Sequence, residues 1–276
     1  DSVFDVLKPA VKAGAISDPK EMPGLASFTA DLLREGTAKR NSTQIAAELD
    51  ELGATFIASA PFGDDITTIQ ASGLSATVDK LMDLMSDLTL NAAFPEGELE
   101  KYRRREMAAL TQQRSSPGFL AQERFARAVY GDFPASVQSP TSDSLKKASP
   151  AALKAFHDRV YAPNNAILAI SGDVTVAQAT ELAKKYFGQW QKHPMPAVAT
   201  PAVPAPAPAR VFLVDRPGSV QSNILAGGLT LRRTDPDYIP LVVANRILGG
   251  GSAARLFMNL REEKGYTYGV YSDFTA

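Results

Sequence analysis

The chain has 276 residues, 45% hydrophobic and 21% charged, with a net charge of −1 spread over both signs. That balance fits one large or two smaller globular domains and excludes a basic nucleic-acid face or attraction to an anionic membrane surface. There is no cysteine, which removes disulfides, thiolate zinc sites and a cysteine nucleophile, and no run of eighteen apolar residues that would span a membrane.

In chain order, the opening DSVFDVLKPAVK lacks the basic start and long apolar run of a signal peptide, and PAVKAGAISD (9–18) predicts a short strand running into a turn. Pro23 and Gly24 precede a helix over 24–36 that stops at Gly36. NSTQIAAELDELGA (41–54) predicts a second helix, capped by Ser42 or Thr43, with Ile45, Leu49 and Leu52 as its apolar stripe and Gly53 as its end. Strands are predicted over 55–60 and 65–73, then helices over 75–91, 95–116, about 118–130 and 150–161. A buried strand over 165–173 and a helix over 176–190 ending near Gly188 complete this part. The alternation is too irregular for a doubly wound parallel sheet, so the first domain, 1–193, is expected to be α+β, a sheet covered by helices on one side.

The composition then breaks. PMPAVATPAVPAPAP (194–208) has six prolines in fifteen residues and almost nothing that builds a core. Residues 194–209 read as an extended linker, spanning up to ~45 Å at roughly 3.1 Å per residue. Beyond it the same grammar restarts: strands over 210–217 and 220–229, helices over 235–250 and 252–265, and a strand over 266–276. Residues 210–276 therefore read as the start of a second, incomplete domain, and the natural protein is expected to be longer at both ends.

Few residues offer chemistry. GGGS (249–252) lacks the lysine of a phosphate-binding loop and reads as a turn and helix start. The two histidines, His157 and His193, lie far apart and read as ordinary residues. Ser27 and Asp31 are four apart and share one helix face, but a hydroxyl and one carboxylate neither close a zinc site nor make an effective nucleophile and base. Arg261 and Tyr268 flank the end of a helix and the start of a strand. They fit a guanidinium and phenol reaching one cleft to bind a peptide carbonyl or oxyanion. They fit equally a surface ion pair of Arg261 with Glu262 or Glu263, and a tyrosine filling a sheet.

Several segments, in order over nearly the whole chain, resemble the inverted-zincin peptidases, the insulinase, pitrilysin and mitochondrial processing peptidase family. They are VKAGAISDPKEMPGLASFTADLLREGT, ELDELGATF, AFPEGELEKYRR, FHDRVYAPNNAILAISGDV and ILGGGSAARLFMNLREEKGYTYGVYS. The resemblance implies two homologous domains, each a mostly antiparallel sheet covered by helices, with the second truncated here. The family motif G-L-A-H-F-x-E-H-x-L-x-x-G-T places its zinc-binding histidines and its glutamate base where this chain has Ser27, Asp31 and Ala30, and a third ligand falls near Ala109. All four groups are absent together, so the resemblance implies that this chain binds no catalytic zinc.

Family members often work as pairs of subunits or halves, one zinc-bearing and one metal-free. The expectation is a non-catalytic half that lends chamber wall and the Arg261–Tyr268 pair to peptide substrate held by a zinc-bearing H-x-x-E-H partner, inactive alone, in a bacterial periplasm or cytoplasm. The alternative is a scaffold or assembly protein that reuses the fold without proteolysis. A self-sufficient hydrolase finds no serine, histidine and carboxylate constellation to support it.

Overall fold

In the computed structural model, which describes residues 3–197, 202 and 208–274, four strands form one antiparallel sheet. They are β1 (Val3–Val11), β2 (Thr55–Ser59), β3 (Thr67–Leu74) and β4 (Ala166–Ile170), in the order β2-β3-β1-β4. One row of the register, Ser59, Thr68, Ala10 and Ile167, crosses all four strands. Alternation along β3 decides which face is covered: Thr67, Ile69, Ala71 and Gly73 are buried, whereas Thr68 and Leu74 face out. The chain is thus α+β, an antiparallel sheet with helices on one face.

Among the described residues, nine of the ten α-helices lie where periodicity places them: α1 (Leu25–Asp31), α2 (Ser42–Leu52), α3 (Val78–Leu90), α4 (Glu96–Ser115), α5 (Pro117–Tyr130), α7 (Pro150–Val160), α8 (Val176–Phe187), α9 (Tyr238–Gly249) and α10 (Arg255–Phe257). The tenth, α6 (Ser142–Lys147), is too short to carry a period. It holds by a capping box between Thr141 and Ser144 and by Arg103, whose Nε and Nη2 donate to the carbonyls of Leu145 and Ala148 at 2.9 and 2.8 Å. Phe28, Leu32, Leu33, Ile45, Ile69, Leu81, Leu84, Met85 and Phe94 form the dry centre of the core, with α1 and α3 laid on β3.

Three expectations need correction. The first strand starts at Val3, ahead of the stretch 9–18 read as a strand running into a turn, and it ends at Val11, because Gly14 presses so closely on the backbone of Asp64 and Asp65 that the chain turns there into a 3-10 helix, Ala15–Ser17. The cap of α2 is Asn41, in a reciprocal box with Gln44, in place of Ser42 or Thr43. And β4 is not buried: it is an edge strand, with Ile167 66% exposed.

The chain divides into two compact units, residues 1–226 and 227–276. The linker expected over 194–209 lies largely outside the described residues. Residues 210–217 and 220–229, read as strands, form no ladder among the described residues, with Val211 and Leu213 almost fully exposed. In the second unit α9 and α10 are joined by the turn through GGGS (249–252), and α10 continues as a π-helical turn, Met258–Glu263. Gly249 lies against Ser272, whose amide donates to the Gly249 carbonyl at 3.0 Å, while Asn245 donates to the Ser272 carbonyl. Residues 266–274 form no strand, since a strand needs a ladder partner and none lies beside them among the described residues. The expected second sheet is therefore not formed among these residues.

Arg40 ties the loop after α1 to α2 and α3. Its guanidinium meets Glu48 at 2.9 Å, Asp83 at 2.8 Å and Asp87 at 2.7 Å, and Thr37 and Asn91 also donate to Asp87. Asp87 is 3% exposed; burial works to raise its pKa, but the hydrogen bonds from Arg40, Asn91 and Thr37 hold it below the ordinary 3.8. Arg40→Ala strands that carboxylate, and urea unfolding at neutral pH is expected to lose about 3 kcal/mol. Asp87's contribution is present above about pH 4 and fades as the pH falls through its lowered folded value, so the gap between wild type and variant should narrow in acid.

Candidate functional site

The face of α1 turned to the core, Leu25, Phe28 and Thr29, is buried, which leaves Ser27 and Asp31 half-buried on one stripe. Gly24 starts the helix in a left-handed conformation, φ 94°, packed so tightly on Phe62 that a Cβ would not fit. A glycine offers no side-chain cap, and Asp18 supplies it from outside: its Oδ2 accepts from the Gly24 amide at 2.7 Å and its Oδ1 from the Ala26 amide at 2.8 Å.

At the other end of α1, Asp31 meets α4. The Tyr102 hydroxyl donates to Asp31 Oδ2 at 2.9 Å. The Tyr102 ring is buried, set edge-on to Phe28 with centroids 5.7 Å apart, and Arg105 lies 5.0 Å over it. Burial raises the Asp31 pKa, the Tyr102 hydrogen bond and Arg105 oppose it, and the Glu106 charge adds to it. Burial and the Asp31 charge push the Tyr102 phenol far above its ordinary range, so it stays a neutral donor. No hydrogen bond joins Ser27 to Asp31; the carboxylate is engaged by the phenol, and the serine has no base.

The donor set does not fit zinc. Ala30 is fully buried and Ala109 half-buried on α4, so two of the four positions carry methyl groups. His157 is buried on α7, its Nε2 2.8 Å from the Thr89 carbonyl and its ring stacked on Tyr161, while Nδ1 of His193 lies against the Pro194 carbonyl. Among the described residues, no group of three or more His, Cys, Asp and Glu side chains is placed to hold a metal ion.

Arg261 and Tyr268 lie in the second unit. Arg261 sits on the π-helical turn, donating to Glu262 at 3.0 Å with its guanidinium 5.0 Å from the Phe257 ring. Tyr268 is 87% exposed, and no hydrogen bond joins it to Arg261. The arginine thus holds the local ion pair that its neighbours allow, and Tyr268 stands at the surface apart from it.

Sequence reasoning missed Tyr102, Asp18 and Arg40. Tyr102 is seven residues before Ala109 and shares its helix face, the one available signal; its partner lies 71 residues away. Asp18 sits in a loop, where nothing in the pattern distinguishes a cap from a solvated acid.

Residues 8–136 match the insulinase domain of peptidase family M16, and residues 147–276 match the peptidase M16 inactive domain. An uncharacterised zinc protease of Mycobacterium leprae (strain TN) is 26% identical over 95% of this chain and 59% of its own length. One from Bacillus subtilis (strain 168) is 23% identical over 95% of this chain and 63% of its own. The chain thus spans about six tenths of the length of these curated relatives. Among solved structures, the peptidase M16 inactive domain from Pseudomonas fluorescens superposes with a TM-score of 0.82 at 28% identity, over 99% of this chain and 66% of that one. A protease from Helicobacter pylori, at 20% identity and a TM-score of 0.78, shares the fold.

Tyr102→Phe removes the one donor to Asp31 and is expected to cost about 1–2 kcal/mol in urea unfolding. The carboxyl's folded pKa already lies above its unfolded value, so its contribution to stability falls as the pH rises from about 4 through the folded value. The variant should raise that value further, visible as a higher Asp31 midpoint in carboxyl-carbon NMR.

Proposed function

The chain belongs to the M16 family of peptidases, and on that premise we propose that it is a metal-free, non-catalytic half or subunit that completes a zinc-bearing partner. The observation that carries this reading is the state of α1. The helix is kept, buried and capped, while its one carboxylate is engaged by Tyr102 and alanines occupy two of the four chemical positions. Zinc belongs to the partner, on an H-x-x-E-H motif, and this chain contributes wall and substrate contacts. Arg261 and Tyr268 are the contacts proposed: a guanidinium and a phenol position a peptide carbonyl through hydrogen bonds that need no metal. A π-helical turn beneath Arg261 supports the assignment, since such turns are frequent at functional sites. Among the described residues no helix is long and apolar enough to cross a membrane.

One observation favours the alternative, a scaffold without a part in proteolysis: Arg261 is engaged by Glu262, and Tyr268 stands apart from it. Purification of the native protein from its source, without chelator, separates the two. The peptidase reading expects a stoichiometric H-x-x-E-H partner or segment and chelator-sensitive cleavage of unfolded peptides, with the 276-residue chain alone inert and taking up no stoichiometric zinc in equilibrium dialysis. Arg261→Ala in that assembly should lower kcat/KM about tenfold or more, the worth of one charge-assisted hydrogen bond, and Tyr268→Phe should lower it less. Undiminished activity of the double variant would leave the scaffold reading standing.

A further inference from the structure

Asp18 is half-buried beside α1, and both of its oxygens accept backbone N–H groups, from Gly24 and Ala26. Two donors on two oxygens suit the ionised carboxylate best, because the hydroxyl oxygen of a protonated carboxyl is a much weaker acceptor and has a proton of its own to place. Burial asks for the opposite state. The loop between them, DPKEMPG (18–24), carries prolines at 19 and 23, so its closure rests on these two bonds more than on chain flexibility. On the far side Arg159 of α7 donates to the Ser17 carbonyl at 2.7 Å and is the charged group that faces Asp18. The first turn of α1 carries no acid, His157 of α7 is directed to Thr89, and Asp64 and Asp65 meet this region through their backbone.

We propose that Asp18 is a proton-released clasp: ionised, it ties loop 18–24 to the first turn of α1, and protonated, it gives up one of the two amides, so that the start of the helix bearing Ser27 and Asp31 loosens in mild acid. Burial, the largest influence, pushes the carboxyl up to about 6, against the two amides and Arg159, which places the change in a range a periplasm or an acidified compartment reaches. The global sign is opposite to the local one. With its folded value above the unfolded 3.8, Asp18 contributes most to stability below about pH 4 and loses that contribution as the pH rises to about 6. Acid therefore relaxes the clasp without unfolding the chain, and the device needs no part of the peptidase reading.

The test is a titration of the 276-residue chain from pH 8 to pH 4.5 followed by the amide proton shifts of Gly24 and Ala26. The expected result is a common midpoint near 6 with an upfield move of at least one of the two amides in acid, while signals from the core of β3 stay in place. Arg159→Gln, which leaves both amides intact, should move the midpoint upward, and Asp18→Asn should abolish the step. A midpoint at the ordinary carboxylate value, amides that do not move between pH 8 and 4.5, or a step that survives in Asp18→Asn would each overturn the proposal. If Asp18→Asn does not fold, the wild-type and Arg159→Gln midpoints decide it alone.

Discussion

A single hydrogen bond, Tyr102 to Asp31, joins α1 to α4 at the place where a family metal would join them. An ion held by ligands from two helices is a cross-link with strict geometry, and losing it leaves two polar stripes facing each other without a partner. Here methyl groups stand at Ala30 on α1 and at Ala109 on α4, and the one acid, Asp31 of α1, is answered by one phenol, Tyr102 of α4. Polar satisfaction is thereby restored without a metal, because a buried carboxylate needs a donor and Tyr102 is the donor within reach. The Tyr102 ring gains its place by packing on Phe28, so the same side chain fills space and satisfies charge.

The remaining order around α1 follows from where its backbone groups go. A seven-residue helix is too short to stand by propensity and holds through its buried face and its ends. Asp18 closes the N-terminal end, and beyond the C-terminal end Thr37 and Arg40 are pinned through Asp87, itself fixed on α3. Of the three carboxylates around the guanidinium only Asp87 is buried, and a buried pair of this kind specifies a geometry more than it stabilises one. What it specifies is the path of the chain from α1 to α2, the stretch that carries the tail of the family motif, Gly36 and Thr37.

Much of this was legible before any coordinates. The helices of the first unit announce themselves through stripes such as Leu81, Leu84, Met85 and Leu88, and the alternation of 65–73 marks β3. What stayed hidden is what depends on partners distant in sequence. The Asp31–Tyr102 and Arg40–Asp87 bonds span 71 and 47 residues, and no local pattern encodes either. Edge position is equally silent: AILAI (166–170) is uniformly apolar, as a central strand would be, yet it lies at the margin of the sheet. Residues 210–217 read as a strand because Val211, Leu213 and Val214 have strand propensity, but propensity supplies no ladder, and unpaired it leaves Val211 and Leu213 in solvent.

A metallopeptidase half can lose its metal and keep its fold only if the metal was never part of the core. The apolar cluster runs from Val11 and Ile69 on the sheet through Phe28 and Leu32 to Leu81, Leu84 and Met85, and none of its members depends on an ion for position. The stripe bearing Ser27 and Asp31 lies at the margin of that cluster, where substitution costs little beyond one hydrogen bond's worth of free energy. On the proposed reading the constraint on this helix is one of shape: α1 presents its outer face, capped at one end and clamped at the other. Gly24, whose left-handed start packs against Phe62, and Asp18, which accepts from the Gly24 and Ala26 amides, together set where α1 begins. The face bearing Ser27 and Asp31 is therefore held in one geometry by groups that lie outside it.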